Sequence, residues 1–333
     1  MKYLIGVCFF LSIVSSAENI KQKIRVEGAT CGNGDPYYVF LRQGDPNKVL
    51  FFFEGGGMCW DKKTCFSFPV MGRTKWKETQ TNDGIFSATN PDNPLRDYTL
   101  VHFPYCTGDI FVGNHEATYQ GKKVRHSGRR NLELAFRTLR EEGFSAKRAT
   151  HVVAYGHSAG ALGVALNMDL LDEETNMDAD RVMISDAPGA HFHRNVWKRF
   201  DVPYFQDIER AYARIGLEID PKSFQLARRF QGLCENFPLW RMGFLQATKD
   251  TVMSVFFGKM LPLEHELMVL GKSGIYEALK GTRDQCSSFT PRSRLHGFLT
   301  DLKSWFSETK EHVSAKSYLL QLLDKDRPQL SYK

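Results

Sequence analysis

The stretch ATHVVAYGHSAGALGVAL, residues 149–166, constrains this chain more than any other. Its valine-rich start reads as a buried strand, and the small residues after Gly160 read as the start of a helix. Between them, Gly156-His157-Ser158-Ala159-Gly160 has the pattern of a sharp strand-to-helix turn whose middle residue takes strained backbone angles and stands above the sheet. Gly156 and Gly160 leave the room such a turn needs. A hydroxyl held there is a candidate nucleophile, and Ser158 carries it; the alternative is an ordinary glycine-rich strand end.

The rest of the chain supplies a sheet for that turn. Apolar segments of strand length recur at 97–105 (DYTLVHFPY) and 180–188 (DRVMISDAP), and less clearly at 239–250 (LWRMGFLQATKD). Upstream, CGNGDPYYVFLRQGDPNKVLFFFEGGG alternates turn residues with short apolar segments and reads as a hairpin leading into a buried strand. In GRRNLELAFRTLREEGF, residues Leu132, Ala135, Phe136 and Leu139 share one helical face, and ALGVALNMDLLDEE reads as a second helix. Strands alternating with helices imply an α/β fold, a mostly parallel sheet covered by helices on both faces. Residues 198–236 read as helical and suit a cap or lateral insertion, and the tail at 299–329, with Leu302, Trp305, Phe306 and SYLLQLL, suits one or two helices packed on the sheet. No repeat or heptad pattern divides the 333 residues, so a single domain over 18–333 is the simplest account.

Residues 1–17, MKYLIGVCFFLSIVSSA, put one lysine ahead of an apolar run ending in small residues, with Ser15 and Ala17 placed for cleavage before Glu18. This reads as a signal peptide and a secreted chain, the run being too short for a comfortable membrane span. Cys31, Cys59, Cys65, Cys106, Cys234 and Cys286 then favour disulfides, with the pairing open apart from a local Cys59–Cys65 bridge. Such dispersed cysteines do not read as a zinc site, and no metal or cofactor is expected. The formal charge of +6, which includes Lys2, suits anionic matter such as acidic polysaccharide or a membrane surface, but it is spread along the chain. The runs Lys21–Arg25 and Lys122–Arg130 read as solvated faces, and no arginine stripe interleaved with aromatics calls for nucleic acid.

A serine attacks only when a base takes its proton and an acid orients that base, in the chain order nucleophile, acid, histidine for this kind of turn. The histidines after Ser158 are His191, His193, His265, His296 and His312. His191 and His193 follow the 180–188 strand too closely; His265 and His312 sit in segments that read as helix. That leaves His296, in the nonperiodic SSFTPRSRLHGFL. For the acid, Asp186 and Asp250 both end apolar segments; position favours Asp250 and would leave Asp186 beside the pocket, tying loop amides. The glycines of FFFEGGG have a matching use. Gly56 and Gly57, with Ala159, are candidate N–H donors to a negative oxygen, since a bare backbone at Gly55–Gly57 lets substrate approach. A plain turn and a phosphate loop are the alternatives, and the phosphate loop lacks its Lys-Ser/Thr ending. Glu54 is expected to point away and tie the loop down, because a carboxylate facing a developing negative charge would raise the barrier.

Taken together, CGNGDPYYVFLRQG, NKVLFFFEGGGMCWDKKTC, VHFPYCTGDIFVG, VVAYGHSAGALG, ISDAPG, FLQATKDTV and FTPRSRLHGF resemble the pectin acetylesterase and Notum family of secreted serine carboxylesterases, in the family's order over about residues 28–300. The resemblance implies an α/β-hydrolase fold and places the triad on Ser158, Asp250 and His296 and the oxyanion site on Gly56, Gly57 and Ala159. It implies ester hydrolysis, first of all of acetyl groups on a polysaccharide such as pectin; a lipid, aryl or protein-linked acyl ester is the enzymatic alternative, and a catalytically silent binding protein the other. Three positions depart from the family pattern. Ser293 and Gly297 stand where cysteines usually flank the histidine, and Met58 where a tryptophan is general, so the loop loses disulfide support and the pocket wall changes.

Overall fold

A computed structural model describes residues 21–67, 72–77, 82–192, 196–219, 226–282 and 285–333. The expected leader at 1–17, His193 and residues 220–225 of the expected cap lie outside the described residues. The strands are β1 (Gln22–Thr30), β2 (Pro36–Arg42), β3 (Asp45–Phe53), β4 (Tyr98–Phe103), β5 (His115–Tyr119), β6 (Lys122–His126), β7 (His151–His157), β8 (Asp180–Asp186), β9 (Trp240–Leu245) and β10 (Cys286–Phe289). Eight of them form one sheet in the order β1-β2-β4-β3-β7-β8-β9-β10, while β5 and β6 form a separate hairpin. Pairs from β4 through β10 are parallel, and only β2, against β1 and β4, runs antiparallel. This is an α/β-hydrolase-like sheet.

The run VLFFF explains why β3 is central. Phe51 and Phe53 pack with Phe103, Phe136 and Phe111 on one face, and Phe52 packs with Phe86, His102 and Tyr155 on the other. A strand apolar on both faces belongs inside a covered parallel sheet. The first face carries α1 (Gly128–Glu141), α2 (Ala159–Leu166), α3 (Met168–Glu174), α4 (Val202–Arg214) and α5 (Phe230–Asn236), with α6 (Pro262–Leu270) and α7 (Ile275–Leu279) farther along it. The second is covered less by helix than the sequence suggests: α8 (Ala315–Leu323) supplies Tyr318, Leu319 and Leu322, and irregular segments supply Ile85, Phe86, Leu95, Phe298, Leu299 and Trp305.

Several local expectations are corrected. The segments YYVFLR and VLFFF do not pair with each other, because β4 lies between them; β2 makes its hairpin with β1, a strand hidden in a charged run. Lys23 of that run lies over the Tyr38 and Trp76 rings. Both basic runs do face solvent in the main, with Lys23, Arg25, Lys122, Lys123 and Arg130 exposed; Lys122–Arg130 also forms β6 and the start of α1, and its Arg129 is the exception, buried against Glu133, Asn167 and Asp169. The helix expected over 161–174 breaks at Asn167, whose amide donates to Phe111 O and Gly163 O. In the tail only α8 is a full helix, Phe306 is exposed, and His312 sits in a left-handed turn at φ 58°.

The cysteines pair as Cys31–Cys106, Cys59–Cys65 and Cys234–Cys286. The first closes a 75-residue span between the turn after β1 and the loop after β4, and the third ties α5 to β10. Buried histidines set the acid sensitivity. Burial pushes His126 and His191 down to about 3 and also lowers His102, His157 and His265. Unfolding frees each to take a proton below the ordinary value of 6.5, so stability is lost as pH falls from that value toward the depressed folded values. Asp109, raised by burial to about 6, and Asp186, also raised, oppose this over the lower part of the window. With five histidines against two carboxylates, the thermal midpoint should fall steadily between neutral pH and about pH 4.5, with net proton uptake on unfolding. Calorimetry in buffers of different ionisation enthalpy checks it; a midpoint that rises on acidification would contradict it.

Candidate active site

Ser158 is the single residue between the end of β7 and the start of α2. It holds φ 57° and ψ −120°, a conformation that costs a non-glycine residue roughly 1–3 kcal/mol. The turn is fixed on both sides: Ser158 N donates to Asp186 O at 2.8 Å, and Ser158 O accepts from Ala161 N at 2.9 Å. The two glycines are steric necessities, because a Cβ on Gly156 would lie 1.9 Å from Gly160 O and one on Gly160 would lie 2.0 Å from Phe53 O.

Ser158 Oγ lies 2.8 Å from His296 Nε2, and His296 Nδ1 lies 2.8 Å from Asp250 Oδ2. An ionised carboxylate only accepts, so Nδ1 carries the proton and Nε2 is left to accept from the serine hydroxyl. Asp250 is fully buried and also accepts from Met253 N at 3.0 Å and Gln246 Nε2 at 3.1 Å. Gln246, which sequence reasoning passed over, accepts from Gly189 N as well and so joins the ends of β8 and β9 beneath Asp250.

Asp186 is engaged elsewhere. Its carboxylate accepts from Phe298 N, Leu299 N and Tyr155 Oη at 2.9, 3.0 and 2.9 Å, which pins the segment just after His296 to the end of β8. Burial raises its pKa, opposed by His157, those two amides and the tyrosine. His157, inside the turn motif itself, was also missed: its Nε2 donates to His296 O at 3.1 Å. Gly297, at φ 98°, has no room for a side chain because a Cβ would lie 2.4 Å from that nitrogen. The cysteine pattern absent at Ser293 and Gly297 is thus replaced by noncovalent support, with Ser293 O accepting from Lys249 N at 3.0 Å and Arg294 O from Thr251 N at 3.4 Å. Among the other candidates, His191 accepts from Ile275 N, His265 is buried with Nδ1 donating to Thr248 O, and His312 is exposed.

Gly56, Gly57, Ser158 and His296 line one cleft, and Ala159 lines the adjoining pocket with Gly57 and Ser158. None of the turn and loop hydrogen bonds of the described residues uses the Gly56, Gly57 or Ala159 amide. The Gly56 carbonyl is instead held by Arg73 N at 2.8 Å. The Glu54 carboxylate is turned to the Arg73 guanidinium, to Tyr105 N at 3.2 Å and to His102 Nε2 at 3.3 Å, so the strand end and the glycine loop share one ion-paired anchor. Cys59–Cys65 fixes the same loop two residues beyond Gly57.

From Ser158 and Ala159 an apolar pocket runs past Met58, Ile110, Leu162, Phe192, Met253 and Phe257. Five of those residues also line a second apolar pocket, closed by Trp60, Phe200, Ile208 of α4 and Leu226. The helical segment foreseen at 198–236 therefore supplies part of the far wall. The free volumes are about 20 and 10 Å³, each about enough for one water. The opposite side of the cleft is polar, with Arg73, Lys75, Trp76 and Lys77.

Potential ligand atoms of Cys59, Cys65 and His126 lie within 4.8 Å of one another. The two sulfurs are bonded to each other, and His126 is engaged by Thr107 O and Tyr119 Oη.

The pectinacetylesterase family model matches residues 12–199. Among curated proteins, the chain is similar to palmitoleoyl-protein carboxylesterase notum2 of Xenopus laevis, 31% identical over 163 residues, covering 46% of this chain and 33% of that protein. It is 28% identical over 173 residues to palmitoleoyl-protein carboxylesterase NOTUM of Homo sapiens, covering 48% of this chain and 34% of the relative. It is also 33% identical over 107 residues to inactive palmitoleoyl-protein carboxylesterase notum1b of Danio rerio, 30% of this chain and 76% of that protein. The matched segment spans about a third of the length of the first two relatives.

Proposed function

Because this chain belongs to the pectinacetylesterase family, we propose that it is a secreted serine carboxylesterase that releases an apolar acyl group from an ester. The observation that carries the reading is the Ser158–His296–Asp250 chain of two 2.8 Å contacts at the mouth of an apolar pocket. His296 Nε2 takes the Ser158 proton as Oγ attacks the carbonyl carbon. Amides of Gly56, Gly57 and Ala159 meet the negative oxygen, each such donor being worth about 3 kcal/mol in well-studied hydrolases. The resulting imidazolium, steadied by Asp250, protonates the leaving alcohol, and water repeats the sequence on the acyl-enzyme. Glu54, neutralised by Arg73, adds little repulsion to the developing charge. Three disulfides favour an oxidising compartment, in keeping with a cleaved leader at 1–17.

The sequence alone pointed first to acetyl groups. A longer acyl chain is now preferred because the wall beside Ser158 is apolar and because the relatives above are carboxylesterases of palmitoleoyl-protein. With so little free volume, entry of a long chain requires side chains that line the pocket to move aside. In a series of 4-nitrophenyl esters, kcat/KM should rise at least about tenfold from acetate to octanoate, as added methylenes are buried. A maximum at acetate would overturn the apolar-acyl reading and favour the second one, an acetylated acidic polysaccharide, for which Lys75, Trp76 and Lys77 beside the glycines speak.

A further inference from the structure

Helix α6 is turned the wrong way for an ordinary surface helix. Its LPLEHELMVL segment buries His265 and Val269 while Leu263 and Leu267, one turn apart, face solvent. Leu261 precedes them, and Val255 and Phe256 stand exposed on the π-helical turn Val252–Gly258 that carries the cleft residues Val252 and Phe257. Leu295, next to His296, adds to the same side, for Arg294 O receives Thr251 N at the start of that turn. Exposure of these six side chains runs from 43% at Leu295 to 68% at Leu267. Isolated exposed leucines need no explanation, but six on adjoining segments at the rim of a cleft do.

The charges around this patch indicate what covers it. Lys249 and Arg292 both pair with Glu266, and Glu264 caps Leu261 N, so the two carboxylates of α6 are engaged. Lys259, Lys272 and Arg294 are exposed and make no ion pair among the described residues. An apolar face of leucine, valine and Phe256, without Trp or Tyr and flanked in sequence by the unpaired cations Lys259, Lys272 and Arg294, has the composition of an interfacial segment on anionic lipid.

We propose that α6, the Val252–Gly258 turn and the loop before His296 form a docking face for an anionic lipid surface, which sets the mouth of the cleft against that surface. The face explains why a helix that exposes leucine is pinned so firmly by Glu266.

Adsorption separates this proposal from the esterase reading, because it is measured on the Ser158→Ala chain, where no lipid is turned over. The probe is sucrose-loaded vesicles of phosphatidylcholine with phosphatidylglycerol, compared with phosphatidylcholine alone. Sedimentation with the anionic vesicles is expected, weakening with salt as exposed charges are screened. Leu263→Gln with Leu267→Gln should weaken it roughly tenfold or more, and Lys259→Gln with Lys272→Gln by several-fold on anionic vesicles only. In a chain that keeps Ser158, the leucine pair should leave hydrolysis of a soluble short ester unchanged. No adsorption to anionic vesicles, or equal adsorption of the leucine variant, overturns the proposal. So does a leucine variant that merely shifts the chain from dimer to monomer on a sizing column, since the patch would then be a contact between copies.

Discussion

Ser158→Ala is expected to lower kcat for ester hydrolysis by roughly a million-fold, the scale seen when a nucleophile of this kind is removed. The loss should be confined to chemistry. Alanine keeps the Cβ and the same φ of 57°, and the turn's backbone bonds to Asp186 O and Ala161 N do not involve the hydroxyl. The thermal midpoint should therefore move little, as for substitutions that touch no packing or buried polar group. Turnover within tenfold of the parent chain, measured on a purified folded variant, would remove Ser158 from the mechanism.

The second large effect separates two buried carboxylates. Asp250→Asn should cost about ten-thousandfold in kcat, because an amide facing His296 Nδ1 stabilises the tautomer with its proton on Nε2, where the base has to accept. Met253 N still donates to the remaining oxygen, while Gln246 Nε2, which shares Oδ2 with His296, loses its acceptor, so some stability is lost along with the rate. Asp186→Asn acts on different ground. It takes the charge from an oxygen that receives Phe298 N, Leu299 N and Tyr155 Oη and sets an NH2 at the Oδ1 site against Phe298 N, at a cost of about 1–3 kcal/mol in stability. Its rate should fall less, and its pH profile should keep the parent's shape. Side-by-side kcat and melting data decide the matter: equal rate losses, or a larger loss at Asp186, would exchange the two assignments.

Much of this arrangement was legible because local patterns and tertiary need agreed. The apolar run before Gly156 and the small residues after Gly160 demand a close turn in any packing, and the structure gives the distances that forbid a Cβ there. Leu132, Ala135, Phe136 and Leu139 likewise share the buried face of α1. The failures fall where pairing partners are distant. β1 carries too many charges to announce itself and is ordered by β2 across the sheet edge, while β10 is a four-residue strand held by β9 on one side and by a bridge of Phe289 to Tyr332 on the other. His157 could have been suspected from Gly297, since a glycine in place of a cysteine beside the histidine asks what fills the space; the answer is a ring from the Gly156–Gly160 turn, visible only once the two loops meet. Arg73 and Gln246 sit in segments with no periodic signal, and their work, holding Glu54 and Asp250, is defined by contacts alone.

The central claim is a covalent acyl group on Ser158. Rapid acid quench during turnover of a slowly deacylating ester, followed by proteolysis and mass spectrometry, reads it directly. The account predicts one added acyl mass on the peptide that contains Gly156–Gly160, located at Ser158 and absent from the Ser158→Ala chain. Sustained turnover with no acylated peptide, or with the acyl group on another residue, would contradict it.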